Sequence, residues 1–305
     1  MSDSTSQNGR RAVRRVAIVG KPGRPEIGEL GARMRAWLEA RSIPSRFSLI
    51  APGDEYSADD AGDAGAAMEA DLLSLAADAD LVAVLGGDGT MVSVARGLTA
   101  RPVPVLGVNF GRVGFLAQVG PADWEEQFSR VLEQGVLVEE RMGLSYSLVR
   151  EGQTIASGIA VNDVVATRGA IARLATLDLE ADGAPVGSLR ADGLILSTPM
   201  GSTGYSGSAR GPILHPALHV YTVTAICPFL SNFLPLVLDG GSSFRVTARD
   251  AEPELFITVD GQILFPFRAG DNLDVSGLPG RILFACAENG SSYFGKLRDL
   301  GFIGA

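Results

Sequence analysis

The sequence predicts an α/β protein, with a Rossmann-like N-terminal domain followed by a β-rich, β-sandwich-like C-terminal domain. Three observations carry this. Val16-Ala17-Ile18-Val19, Leu81-Val82-Ala83-Val84-Leu85 and Val103-Pro104-Val105-Leu106-Gly107-Val108-Asn109 are short apolar runs separated by helical stretches. Strands buried on both faces of a parallel sheet look like this. Near residue 140 the texture changes: Thr176-Leu177-Asp178-Leu179-Glu180, Phe244-Arg245-Val246-Thr247 and Leu255-Phe256-Ile257-Thr258-Val259 alternate in polarity, as half-buried antiparallel strands do. Asp182-Gly183 and Asp260-Gly261 supply the hairpin turns between such runs.

In order along the chain, residues 1–13 are expected as a flexible arm, 14–139 as the α/β domain and 140–278 as the β-rich domain. Residues 279–305 are expected to pack back on the N-terminal domain. Gly20-Lys21-Pro22-Gly23 turns the chain after the first strand. Residues 29–40 then form an amphipathic helix with Leu30, Met34, Trp37 and Leu38 on one side. The acidic, Ala- and Gly-rich stretch 51–71 is expected as a surface loop, and 72–79 as a helix leading into the second buried strand. Residues 282–287 close as a strand and 293–300 as a short helix.

Composition narrows the classes. With 46% apolar and 20% charged residues among 305, the chain is globular. Its net charge of −9 argues against nucleic acid, whose phosphates require Lys and Arg. Arg10, Arg11, Arg14 and Arg15 cluster near the start, where solvation accounts for them. Cys227 and Cys286 are the only cysteines, expected as buried thiols in a reducing cytosol. No apolar run approaches the ~18 residues of a membrane span. The expectation is a soluble cytoplasmic protein with no membrane partner.

The chemistry concentrates in two segments. In Gly86-Gly87-Asp88-Gly89-Thr90, three glycines let the main chain come close to a ligand, and Thr90 is placed to cap a helix from Met91 to Ala95. The N-terminus of such a helix favours an anion. Asp88 would repel bare phosphate, so it should act through a metal or on a substrate hydroxyl. The second segment runs over residues 192–212, from Asp192 to Pro212, and is rich in glycines and hydroxyls. Its amides and hydroxyls could hold phosphate or ribose oxygens, with Arg210 adding charge. An ordinary Gly/Ser loop explains it equally well when taken alone. Paired with the Asp88 turn on another domain, the binding reading gains, because ligand sites favour clefts between domains.

Walker A, GxGxxG and GxSxG motifs are absent. His215 and His219 are the only histidines, so no His-rich metal site exists and no residue is assigned as a metal ligand. His215 reads as a turn residue. Asn162-Asp163 interrupts an apolar run; it is either a bulge or a pair that recognises sugar hydroxyls.

With the Gly86–Thr90 turn, Asn162-Asp163 and the 192–212 segment in this order, the chain resembles the bacterial NAD kinase family over about residues 14–302. Leu106-Gly107-Val108-Asn109, Gly114-Phe115-Leu116, Val259-Asp260-Gly261-Gln262 and the closing Phe294 to Gly301 support it. The resemblance implies ATP-dependent phosphorylation of the adenosine ribose 2′-hydroxyl of NAD, giving NADP. Asp88 would accept the proton of that hydroxyl, and Gly86, Gly87, Gly89 and Thr90 would hold ATP phosphates. Asn162 and Asp163 would hold the ribose; Thr203, Gly204, Tyr205 and Ser208 would line the adenine pocket; Arg190 and Asp192 would complete the NAD site, Asp192 facing the nicotinamide half. Mg²⁺ or another divalent cation, and a homodimer or homotetramer, are also implied.

The chain departs from the family pattern in places. Asp163 stands where Glu is usual, Met200 and Gly204 where Thr and Ala are, and Phe229 and Leu234 where His and Arg are. Two other readings stand beside the main one. A Gly-Gly-Asp-Gly-Thr kinase of a lipid alcohol is one, although no basic amphipathic segment offers a membrane contact. A catalytically silent NAD(P)-binding regulator, motivated by Phe229 and Leu234, is the other.

Overall fold

In a computed structural model of the chain, the described residues are 10–50, 61–110, 114–117, 119–170, 173–250, 254–286 and 292–304. They fall in two compact units. One is drawn from Met1–Gly53, Gly65–Glu140 and Ile282–Ala305, the other from Asp54–Ala64 and Arg141–Arg281.

The first unit begins with β1 (Arg10–Arg11) and β2 (Val16–Gly20), then α1 (Pro25–Glu39), β3 (Ser45–Leu49), α2 (Ala61–Leu75) and β4 (Leu81–Leu85). It continues with α3 (Asp88–Gly97), β5 (Val105–Val108), α4 (Trp124–Gln134) and the opening of β6 (Val136–Arg150). β2, β4 and β5 are buried at every position, as expected for strands with both faces covered. The parallel order β3-β2-β4-β5 places consecutive strands on both sides of β2. The order therefore reverses between β2 and β4, and the carboxyl ends of strands at such a point are where doubly wound sheets bind ligands. Ile27, Leu30, Met34 and Leu38 of α1 pack with Trp124, Phe128 and Val131 of α4 against Ile18, Leu81, Ala83 and Leu85. α3 lies so close to β5 that a Cβ on Gly107 would sit 2.2 Å from Met91 Sδ.

Several expectations for this unit need correction. The expected loop over 51–71 is helical from Ala61, in α2, which ends at Leu75 rather than continuing to residue 79; residues 51–60 lie outside the described set. Five alanines in fifteen residues favour helix more than two glycines and two aspartates oppose it. The expected arm is anchored at its inner end. Arg10 and Arg11 pair with Leu137 and Val136 of β6, Val13 is buried, and the Arg14 and Arg15 amides donate to Asp80 Oδ2.

The second unit holds the rest of β6, then β7 (Gln153–Ala160), β8 (Asp163–Arg168), β9 (Ala175–Ala181), β10 (Ala184–Ala191) and β11 (Gly193–Ser197). A 3₁₀ turn (Gly201–Thr203) and α5 (Tyr205–Ser208) lead to β12 (Val220–Ile226), β13 (Leu236–Asp239), β14 (Ser243–Ala248), β15 (Leu255–Val259), β16 (Ile263–Phe267) and β17 (Asn272–Cys286). Two layers enclose one core. β10-β9-β14-β17 continues through β6 to β7, and β13-β12-β11-β8-β15-β16 forms the second sheet. Leu177, Leu189, Phe244, Val246 and Leu273 of the first meet Val164, Leu194, Leu196, Tyr221 and Ile257 of the second. This is the expected sandwich.

The hairpins at Asp182-Gly183 and Asp260-Gly261 form as expected, and Glu151-Gly152 makes a third. Both central residues of each have positive φ, which fits the twist of paired strands. The last strand, β17, leaves the second unit to run parallel to β5 through Phe284 and Val105, and α6 (Tyr293–Asp299) follows in the first unit.

Arg150, at the end of β6, grips Asp271 through Nε and Nη2 at 2.9 and 2.7 Å, while Arg268 N donates to Asp271 Oδ2 at 2.7 Å. The Asp271 side chain is only 2% exposed. Arg150→Met should strand that charge and destabilise the second unit by about 3–5 kcal/mol. Arg150→Met/Asp271→Leu should recover much of the loss, read from denaturant unfolding of the three proteins.

Candidate active site

α3 begins at Asp88, with Gly87 as its cap and no side-chain capping bond. Thr90 is therefore not the cap that the sequence led us to expect. It lies inside the first turn, 7% exposed, its side chain folded under Gly86, where a Cβ would meet Thr90 Oγ1 at 2.7 Å. The Gly86 amide donates to Val108 O, so its contribution is closeness of approach rather than a donor. The first-turn amides of α3 face out of the helix start. The Gly20-Lys21 turn lies alongside, Lys21 N donating to Leu85 O.

Asp88 is held by a loop that the sequence does not connect to it. Oδ2 accepts from Phe115 N at 2.8 Å, and Oδ1 accepts from Leu116 N at 3.2 Å and Ala117 N at 3.0 Å. Three successive amides converge on one carboxylate, forming an anion nest filled by the chain itself. Gly114 allows the approach, since a Cβ there would stand 2.3 Å from both carboxylate oxygens. The only sequence signal for this contact was the glycine of Gly114-Phe115-Leu116.

The second unit repeats the device. Asp260, in the β15–β16 turn, accepts from Val161 N, Asn162 N and Asp163 N at 2.7–3.2 Å. This fixes the bend that interrupts the apolar run and puts Asp163 at the start of β8. Asp163 is 8% exposed. Burial first, and then the charge of Asp260, push its carboxyl up from 3.8 to about 7.

The 192–212 segment divides in two. Thr198, Ser202 and Ser206 are buried, bonding Val161 O, Pro199 O and the hydroxyls of Thr222 and Thr224. Gly201 presses on Asn162 O, which a Cβ would meet at 2.2 Å. Thr198 thus ties the loop to the residues just before β8, Ser206 ties it to β12, and Ser202 closes it on itself. Thr203, Gly204, Tyr205 and Ser208 stay at least partly exposed, although the Thr203 and Ser208 hydroxyls donate to Met200 O and Gly204 O. Arg210 is exposed and has φ +65°. Partial burial raises the Tyr205 phenol, with smaller contributions from Cys227, Asp192 and Asp163. Tyr205 therefore lies within electrostatic reach of both predicted carboxylates.

Asp192 caps the other end of this surface and accepts from Arg168 Nε at 2.6 Å. Ser197 pairs with Asp163, and Gly193 with Thr167; four rungs separate the two ends, about 13 Å. Arg190 is exposed, its guanidinium 5.7 Å from the Phe229 ring. Cys227, expected to be buried, is exposed at φ +48°, because the chain leaves β12 and turns at that residue. Cys286 is half-buried. His215 is a turn residue, its Nδ1 accepting from Ala217 N. Among the described residues no three His, Cys, Asp or Glu side chains gather to hold a metal ion, and no helix is long and apolar enough to cross a membrane.

Comparison with known proteins decides the family. The ATP-NAD kinase N-terminal domain matches residues 16–136, and the ATP-NAD kinase C-terminal domain matches residues 161–282. An NAD kinase of Nitratidesulfovibrio vulgaris (strain Miyazaki F) is 50% identical, over 96% of this chain and 98% of its own length. The chain belongs to the NAD kinase family. A Geobacter sulfurreducens NAD kinase is 36% identical over 94% of this chain and 97% of its own. Yeast NADH kinase complexed with NADH superposes with a TM-score of 0.79 at 25% identity, covering 98% of this chain and 90% of the yeast chain. An Archaeoglobus fulgidus NAD kinase in complex with ATP gives 0.69 at 25% identity, covering 93% and 98%. Both NAD kinase domains thus lie in one chain, with Asp88 in the first match and Asn162, Asp163 and Asp192 in the second.

The raised carboxyl of Asp163 has a pH signature. Its contribution to stability is fullest below 3.8 and is lost as pH rises toward about 7. Asp163→Asn should therefore gain stability relative to the parent as pH rises, by roughly 1–4 kcal/mol between pH 4 and pH 8. Unfolding midpoints of both proteins at the two pH values measure it, and a constant gap would contradict the assignment.

Proposed function

We infer that the chain transfers the γ-phosphoryl group of ATP to the 2′-hydroxyl of the adenosine ribose of NAD, giving NADP. Membership of the NAD kinase family across both domains supports this. So do the relatives of the same fold whose complexes contain NADH and ATP. The observation that carries the reading is Asp88, an acid at the switch point of a doubly wound sheet and at the head of α3.

The first unit is the proposed donor-phosphate side. Amides of the first turn of α3 and its positive end attract phosphate, with Gly86, Gly87 and Gly89 permitting close approach and Thr90 contributing main chain. Asp88 has the role of aligning the ribose hydroxyl and accepting its proton late. Both oxygens already receive amides, so its value lies in fixed position. A loose transition state asks more of alignment than of basicity.

The second unit is the proposed acceptor side. Asn162 and Asp163 pair with the ribose hydroxyls. A carboxyl titrating at about 7 supplies a donor as well as an acceptor near neutral pH. Tyr205, with Thr203, Gly204 and Ser208, forms the adenine side, while Asp192 and Arg190 take the nicotinamide half about 13 Å away. The separation suits a dinucleotide lying along β8 and β11. Among the described residues no three His, Cys, Asp or Glu side chains gather as a resident metal site. Mg²⁺ or another divalent cation fits instead as part of the nucleotide substrate, on its phosphate oxygens, where it would neutralise charge. A cytoplasmic location and a homodimer or homotetramer complete the reading. Phe229, Leu230 and Leu234, 48–92% exposed, are available to a subunit contact.

The deciding experiment incubates purified protein with ATP, Mg²⁺ and NAD, and in parallel with a lipid alcohol. NADP formation is expected, with no phosphorylated lipid; dinucleotide binding without ATP turnover would instead mark a silent regulator. Asp88→Asn should keep NAD binding and lose at least about 100-fold in kcat, the scale of a positioned acid–base group.

A further inference from the structure

We propose that Lys296, on the C-terminal helix, is a positioning residue for Asp88 that acts through a single peptide group. The inference rests on the catalytic reading of Asp88 above. Lys296 Nζ donates to Phe115 O at 3.0 Å, across 181 residues of sequence. The same peptide unit continues into Leu116 N, which donates to Asp88 Oδ1. In a trans peptide the C=O and N–H point in opposite directions. An ammonium thus sits at the carbonyl end of one amide plane and a carboxylate at its N–H end. Each charge polarises the amide in the sense the other needs, so the two hydrogen bonds reinforce each other.

The rest of the C-terminal segment keeps the ammonium there. The Ser292 side chain caps α6 by accepting from Gly295 N, and Leu297 is buried. The Phe115 ring is flanked by Tyr293 at 6.3 Å and Phe302 at 5.9 Å between centroids. Both the main chain and the ring of Phe115 are therefore held from residues 293–302. Those residues follow the last strand and contribute nothing to the sheet. Lys296 itself is half-buried, where its charge is screened less than on an open surface. Because the neighbouring Phe115 and Ala117 amides also grip Asp88, a shift of this one loop moves all three donors together. The orientation of the carboxylate follows the loop, and the loop follows Lys296.

Lys296→Met keeps the aliphatic stem and removes the ammonium; Lys296→Arg keeps the charge. For Lys296→Met, kcat for NADP formation should fall at least about tenfold, with KM for NAD and ATP within about twofold. Lys296→Arg should restore most of kcat. Amide exchange at Phe115, Leu116 and Ala117 should speed up in Lys296→Met and stay near parental in Lys296→Arg. In an Asp88→Asn background, Lys296→Met should add little, because both changes act on one element. Parental kcat in Lys296→Met, a full additional loss in the Asp88→Asn background, or unchanged amide exchange overturns the proposal. If the parent protein forms no NADP, the catalytic reading fails by itself, and the exchange measurement still decides whether Lys296 holds the loop.

Discussion

One carboxylate closing on three successive backbone amides is the constraint around which the first unit is arranged. Asp88 leaves the end of β4 and returns the chain 27–29 residues later, at Phe115 to Ala117. Hydrogen bonds to a charged acceptor contribute about 1.5–3 kcal/mol each, and more is at stake if a buried amide is left unpaired. The loop therefore has one favourable position, set by Asp88, and Asp88 has one favourable rotamer, set by the loop. Gly114 follows from this, because any side chain there would strike the carboxylate. So does the burial of Thr90 beneath Gly86, with α3 starting at Asp88 instead of three residues later.

The second unit uses the same chemistry for a different purpose. Asp260 holds the amides of 161–163; burial first, and then the charge of Asp260, keeps the neighbouring Asp163 carboxyl from ionising at its ordinary pH. A structural carboxylate thereby tunes a candidate binding carboxyl. The glycine–hydroxyl segment shows a comparable economy. Its buried hydroxyls satisfy the backbone of a loop lying on a sheet face, so its polar composition is in large part a condition for packing. What remains exposed around Tyr205 is a smaller and more specific set than the sequence indicates.

Much of this was legible. Runs of unbroken apolar residues located β2, β4 and β5, and Asp-Gly pairs located two hairpins, because these signals are local and each has one physical cause. The failures were also physical. Residues 61–71 read as loop because isolated glycines and acids mask an alanine-rich helix that neighbours stabilise. Thr90 read as a cap because hydroxyls prefer that position; the glycine before Asp88 took it instead. Cys227 read as buried because it follows an apolar run, yet the strand ends one residue earlier.

The sequence by itself determined the order of elements, the two textures that separate the units, and the acid at the end of β4. These depend on periodicity and on residues adjacent in the chain. Tertiary structure alone decided what that acid touches. The Leu116 amide, the Asn162 amide and the Lys296 ammonium lie 28, 98 and 181 residues from their partners. An amide carries no side-chain signature of its own, so beyond the glycine at 114 no residue type in the sequence announced these contacts.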